Sequence, residues 1–247
     1  SGAILGPLIA FILLSAFKDN YRLIFLLAGI PSILGILVII FGITEAKKNK
    51  ESLLKKFRFG DFSKKFYFFL AIVFIFTLGN STDALLLVKA NEIGIKVAFI
   101  PLVYLLTNVV SVLLSIPVGS LSDRVGKEKI LIVGYIIYAL VYFGFGASSH
   151  IVVIASLFAL YGVYSAATDG IQKAFVSDIV DENKKGTGLG LYNALLGITL
   201  LPASLIAGIL YDKVNSHVPF YFGAVTALIA AVLMFWFQRS FKKQVVE

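Results

Sequence analysis

The chain has 247 residues, 59% of them hydrophobic and only 15% charged, with a mean hydropathy of +0.93 and a formal net charge of +8. A soluble domain is about 45–50% apolar and about 25% charged, so this chain has too little polar material to clothe a water-exposed surface. The composition excludes a soluble enzyme and a disordered tail, and leaves an integral membrane protein.

The first apolar run, roughly 1–16, opens on Ser1-Gly2 without methionine. It carries neither a basic n-region nor a small-residue cleavage site, so it is not a secretory signal and reads as a membrane helix cut short at its start. Further runs lie at about 23–43, 66–88, 97–118, 130–148, 151–175, 188–211 and 220–238. A helix of about 20 apolar residues crosses the hydrocarbon core, and none of the runs alternates as a membrane β-strand would. An all-α polytopic bundle of eight membrane helices is predicted.

The connections orient the helices. Segment 44–65 carries Lys47, Lys48, Lys50, Lys55, Lys56, Arg58, Lys64 and Lys65, and loops on the same side add Arg124, Lys127, Lys129, Lys184, Lys185, Arg239, Lys242 and Lys243. The other side holds Lys18, Arg22, Lys96 and Lys213. Sixteen basic residues against four place 44–65, 119–129, 176–187 and the C-terminus in the cytoplasm. The +8 charge is therefore a topology signal of a chain in a lipid bilayer, and no nucleic-acid partner is expected.

Within the runs, Pro7, Pro31, Pro101 and Pro202 are expected inside helices, where neighbours satisfy the freed carbonyls. Small residues four apart (Gly2/Gly6, Ala203/Ala207, Ser204/Gly208) are expected to let helix backbones approach. Trp236, between Phe235 and Phe237, falls where an aromatic belt meets the inner interface.

Ionisable groups at membrane depth are costly and mark cavities or partners. The third run holds Asn80-Ser81-Thr82-Asp83, and on a continuous helix Asn80 and Asp83 share a face. They are candidates for proton coupling or substrate contact, or for an interhelical hydrogen bond. In the sixth run, Thr168, Asp169, Gln172 and Lys173 cluster, with Asp169 and Lys173 one turn apart. That spacing favours a local ion pair over a switchable gate. Thr107, Ser111 and Ser115, with Asn108 alongside, form a polar stripe on the fourth run, and Asn193 and Thr199 face a lumen or a neighbour from the seventh. Helix gluing by hydrogen bonds is the simpler role for each of these.

No cysteine is present, and His150 and His217 stand apart without ligand spacing, so neither a metal nor a cofactor is expected. Gly186-x-Gly188-x-Gly190 follows no strand and enters a membrane helix, so it is not a dinucleotide loop. Walker A, G-x-S-x-G and H-E-x-x-H strings are absent. An intramembrane enzyme would need carboxylates paired at one depth. Counting along the runs sets Asp83 near the outer face and Asp169 near the inner one, so no enzymatic activity is expected.

One string is specific. After the fourth run the chain reads Gly119-Ser120-Leu121-Ser122-Asp123-Arg124-Val125-Gly126-Lys127-Glu128-Lys129. As a tight turn it needs Gly119 and Gly126 for close approach or positive φ, an Asp123 able to accept from helix-end amides, and Arg124, Lys127 and Lys129 at the anionic leaflet. The string resembles the G-x-x-x-D-R-x-G-[RK]-[RK] signature of the major facilitator superfamily, with Glu128 where the family has a second basic residue. Gly2-x-x-x-Gly6-Pro7 resembles the glycine-proline motif on the fifth helix of its drug-antiporter branch. Lys185-Gly186-Thr187-Gly188 is similar to the entry of the eleventh helix, and 44–65 looks like the linker between six-helix halves.

The resemblance implies that the eight helices are the fifth to twelfth of twelve. Residues 1–43 would then close the N-terminal bundle, 44–65 would be a cytoplasmic linker, 66–238 the C-terminal bundle and 239–247 a tail, with the missing N-terminal helices as partners. It implies a secondary transporter in the cell membrane that moves a small solute by alternating access, as proton-coupled efflux. The alternatives are proton-coupled import and a non-transporting receptor or scaffold, whose polar residues would pack without a cavity.

Overall fold

The structure is a computed structural model that describes residues 2–17, 21–42, 62–80 and 83–242. Lys18, most of the 44–65 linker, Ser81, Thr82 and the end of the tail lie outside the described residues.

Nine α-helices run through the described residues: α1 (Gly2–Ala16), α2 (Tyr21–Gly42), α3 (Lys64–Gly79), α4 (Ala84–Glu92), α5 (Ile100–Val125), α6 (Lys127–Ala147), α7 (Ile151–Ile179), α8 (Lys185–Lys213) and α9 (Val218–Lys242). No strand occurs among them. Seven spans are long and apolar enough to cross a membrane, with α3 and α4 counted together as Lys64–Glu92. The first run is present as a shorter apolar helix, α1, of 15 residues, a rise of roughly 22 Å against a core of about 30 Å.

The helices are apolar around their whole circumference, and the outward residues are as oily as the core. Phe25, Phe41, Ile116 and Leu201 are each about 80% exposed, a pattern that suits lipid and not water. The interior is aromatic. Phe76 of α3 packs against Tyr135 and Tyr138 of α6, and Phe69 packs against Phe175 of α7 and Phe237 of α9.

α6 lies between α7 and α9, α5 packs on α7, and α3 packs on α9 and α8, while α1 lies against α5. Three of these seams close on glycine. A Cβ on Gly162 would sit 2.4 Å from the Thr107 carbonyl oxygen, one on Gly223 would sit 2.7 Å from that of Gly79, and one on Gly134 would meet Thr168 at 2.7 Å. The expected small-residue pair Gly2/Gly6 makes no such approach, since nothing lies within 4 Å of either added Cβ. Pro101 is also corrected: it occupies the first turn of α5, where its missing N–H costs nothing, and Pro117 is the proline inside that helix.

Two local features position the site. The third run is not one helix: α3 ends at Gly79, Asn80 takes φ −89°, ψ 73°, and α4 begins only after Asp83. The expected loop around residues 119–129 is largely helix. α5 continues through Val125, and Gly126 alone, at φ +101°, turns the chain into α6.

Candidate functional site

The break between α3 and α4 frees two polar side chains that a continuous helix would have aligned. Asp83 caps α4 without bonding its amides, and its carboxylate accepts from Tyr104 of α5 at 2.8 Å and Tyr161 of α7 at 2.7 Å. Two hydroxyl donors on one carboxylate are the partners that a charge needs away from water. Asn80 donates to the Tyr164 hydroxyl at 3.2 Å and accepts from Tyr138 at 3.3 Å, while Tyr138 also donates to the Gly79 carbonyl at 3.1 Å. The broken helix end is thus held by tyrosines, whose rings stack with one another: Tyr138 on Tyr142 at 4.0 Å and Tyr164 against Tyr138 at 4.8 Å.

On α7, Tyr161, Ser165 and Asp169 follow at one-turn spacing on one face. The Ser165 hydroxyl donates to Asp169 and accepts from Ser111 of α5. The expected Asp169–Lys173 ion pair is corrected: among the described residues Lys173 makes no ion pair within 4.0 Å, because Asp169 is engaged by the turn before it. Gln172 turns inward, accepting from Tyr192 of α8 at 2.5 Å and donating to Tyr135 of α6 at 3.3 Å.

These groups surround open space. A cavity of about 420 Å³ is lined by Asn80, Asp83, Tyr104, Asn108, Tyr161, Tyr164, Ser165 and Asp169. The expectation that Asp83 and Asp169 lie near opposite faces is therefore corrected: both line one cavity, Asp83 through the α3–α4 break and Asp169 two turns along α7 from Tyr161. Among the described residues no lysine or arginine lines it. Asp169 also lines a cavity of about 460 Å³ with Gln172, Lys173 and Tyr192, and one of about 260 Å³ that runs between α5 and α7 to Asp123 and Lys127. Three cavities meet at this carboxylate.

Asn193 is apart from them. It is exposed on α8 and donates to the Leu189 carbonyl at 2.9 Å. Thr199 likewise bonds within α8, at the Leu195 carbonyl, whereas Thr107 and Ser111 do bridge α5 to α7.

In the glycine-rich string, Lys127 binds Asp178 at the end of α7 at 2.8 Å and Asp123 at 3.2 Å. Asp123 thus pairs with a cation and not with helix-end amides. Arg124 is exposed, and Gly119 lies in helix with open space beside it, so only Gly126 needs to be glycine for its φ. Asp178 lies just past the expected end of its run, which hid it. The tyrosines were hidden in the aromatic count, although the Tyr161–Ser165–Asp169 spacing was legible. Asp178→Asn leaves the Lys127–Asp123 contact and is expected to cost under about 1 kcal/mol, the scale of exposed ion pairs. Lys127→Ala breaks both contacts and leaves two facing carboxylates, so thermal unfolding in detergent should show the larger drop for it.

Residues 67–246 match the sequence profile of the Major Facilitator Superfamily. An uncharacterized MFS-type transporter of Methanocaldococcus jannaschii is 33% identical over 240 residues, covering 95% of this chain and 60% of that relative. Multidrug resistance protein 2 of Bacillus subtilis is 28% identical over 174 residues, 69% of this chain and 40% of the relative. Tetracycline resistance protein, class B, of Escherichia coli is 24% identical over 160 residues, 61% of this chain and 36% of the relative. The chain spans well under two thirds of the length of each. With a profile match over most of its length, a strand-free bundle of membrane-length helices and the signature string at the α5–α6 turn, the chain belongs to the major facilitator superfamily and is a multi-pass membrane protein.

Proposed function

We propose that the protein is a secondary transporter that moves a small solute across the membrane by alternating access, as proton-coupled efflux. The observation that carries this reading is a pair of carboxylates, Asp83 and Asp169, lining one cavity inside a bundle of membrane-length helices. A receptor or scaffold of the same topology would pack these polar groups against one another, and the open 420 Å³ favours transport over it. Two carboxylates among tyrosines, with no lysine or arginine lining the space among the described residues, suit a solute that carries positive charge. The multidrug and tetracycline resistance proteins among the relatives support export.

In this reading Lys64–Glu92 and the five spans that follow form the second six-helix bundle, α1 and α2 end the first, and the basic 44–65 segment links the two on the cytoplasmic side. The basic loops put the C-terminus in the cytoplasm of a cell membrane. Cationic solute and proton compete for the shared carboxylates. An acid group that is protonated from outside releases the cationic solute there, and its deprotonation inside restores the site.

Everted membrane vesicles holding the intact protein test this. With an imposed pH gradient followed by a pH-sensitive dye, tetracycline and a panel of lipophilic cationic dyes are the probes. Partial collapse of the gradient on addition of a probe, absent from vesicles without the protein, is the expected result. No response across the panel from folded protein, in everted or right-side-out vesicles, overturns efflux.

A further inference from the structure

The short helix α4 is attached to the bundle at two ends. At its start Asp83 is held by Tyr104 and Tyr161, next to the α3–α4 break. At its end the chain turns through Ile93 and Gly94, the latter at φ +97°, and Ile95 packs back into the core. A polar cluster outside the cavity ties this end a second time. Lys89 is 3% exposed, a rare state for lysine, and its ammonium lies 3.4 Å from Nδ1 of His217 in the α8–α9 turn. Glu92, one turn later, stands 4.0 Å from the Lys89 ammonium and accepts from the Tyr211 hydroxyl of α8.

The chemistry of the Lys89–His217 contact depends on one proton. An ammonium has only N–H donors, so the contact requires the Nδ1 lone pair of a neutral imidazole protonated at Nε2. When Nδ1 takes a proton from solvent, the acceptor is lost and two cations stand within contact distance around a buried site. Glu92 is the carboxylate available to offset them, and it is already shared between Lys89 and Tyr211. Asp212 and Lys213, at the end of α8, are exposed, and among the described residues no carboxylate lies within ion-pair distance of His217. His150, on the α6–α7 turn at the same end of the bundle, is exposed as well.

We propose that His217 and Lys89 form a proton-sensitive latch that fastens the outer end of α4 to the α8–α9 turn when the imidazole is neutral and releases it when the imidazole is charged. Release removes the polar tie while Leu86, Ala90 and Ile95 stay in the core, so the movement is confined to the last turn of α4 and the α8–α9 turn that faces it. The latch is independent of which solute occupies the cavity.

The chain contains no cysteine, so paired spin labels can be placed cleanly. Asn91 of α4 and Val214 of the α8–α9 turn are both exposed, and Asn91→Cys with Val214→Cys in the intact protein reports their separation by pulsed electron resonance in liposomes. A single short distance at pH 8 that gives way to a longer component at pH 5, with the steepness of one proton, is expected. His217→Gln keeps an acceptor and cannot titrate, so its distance should stay short at both pH values. Lys89→Met should lose the pH response, and His150→Gln should keep it. An unchanged distance in the parent protein between pH 8 and pH 5 overturns the latch, and so does a pH response that survives in His217→Gln. Because the readout is a distance and not a flux, the latch and the transport reading fail separately.

Discussion

Replacing Asp83 or Asp169 by Asn is expected to reduce pH-driven solute flux in liposomes to the leak rate of protein-free membranes, with the protein still folded. Asparagine keeps the volume and a hydrogen-bond acceptor but carries no titratable proton. At position 83 the amide oxygen keeps one of the two tyrosine bonds, because Tyr104 and Tyr161 donate to different carboxylate oxygens and an NH2 accepts from neither; at 169 Ser165 can still donate to the amide oxygen. The substitution therefore removes charge at 169 with its serine bond kept, and at 83 at the cost of one tyrosine bond. If exchange of solute down its own gradient persists while the pH gradient no longer drives accumulation, the carboxylate carries coupling. If both processes fail, it binds the solute. Unchanged pH-driven flux in both variants would remove the carboxylate pair from the mechanism. Asp169 should give the larger effect, since it borders all three interior cavities, whereas Asp83 borders one.

Gly162→Val is expected to produce the largest loss of stability among single substitutions. A Cβ there would sit 2.4 Å from the Thr107 carbonyl oxygen, 2.9 Å from the Val110 Cβ and 3.2 Å from the Ser111 amide, so α5 and α7 would have to separate. Overpacking a filled interior costs about 1–3 kcal/mol, and more where the obstacle is backbone that no rotamer change can move. Separation would also lengthen the Thr107–Phe158 bond, now 2.8 Å, and the Ser111–Ser165 bond, now 3.2 Å. Thermal unfolding in detergent measures the loss. A control at Gly170, where a Cβ meets nothing within 4 Å, should show little change. Equal melting temperatures for the two variants would contradict the close seam.

The helices were legible because a membrane helix declares itself by length and continuous apolarity. The same property hid the site's shape. With all faces apolar, periodicity no longer says which side of a helix is inside, so Asn80 and Asp83 read as one face of an unbroken helix when α3 ends at Gly79 and Asn80 is already out of the helical conformation. Local spacing rules misled where a tertiary or earlier-turn partner was available. Asp169 and Lys173 have ideal one-turn spacing, yet Ser165 takes the carboxylate. Asp123 has the form of a helix cap, yet Lys127 and Asp178 make a three-member charge cluster with it. Depth estimated by counting residues placed Asp83 and Asp169 too far apart, because it ended the sixth run at 175 while α7 continues to Ile179, and because it took the third run as one unbroken helix. The glycine-rich string was read as a tight turn spread over 119–129, whereas the turn is made at Gly126 alone, where a residue free to adopt positive φ serves.

That single-residue turn has a mechanical consequence. Two helices joined by one residue behave as the arms of a bracket: a tilt of α5 drags the start of α6 with it, and α6 is clamped over most of its length between α7 and α9. A flexible peptide spliced at Gly126 would uncouple the arms, whereas the same peptide spliced into the exposed turn at Ser148 and Ser149 would leave them rigid. Tag insertion at these two places would separate the chain's hinges from its struts without altering a single side chain in the cavity.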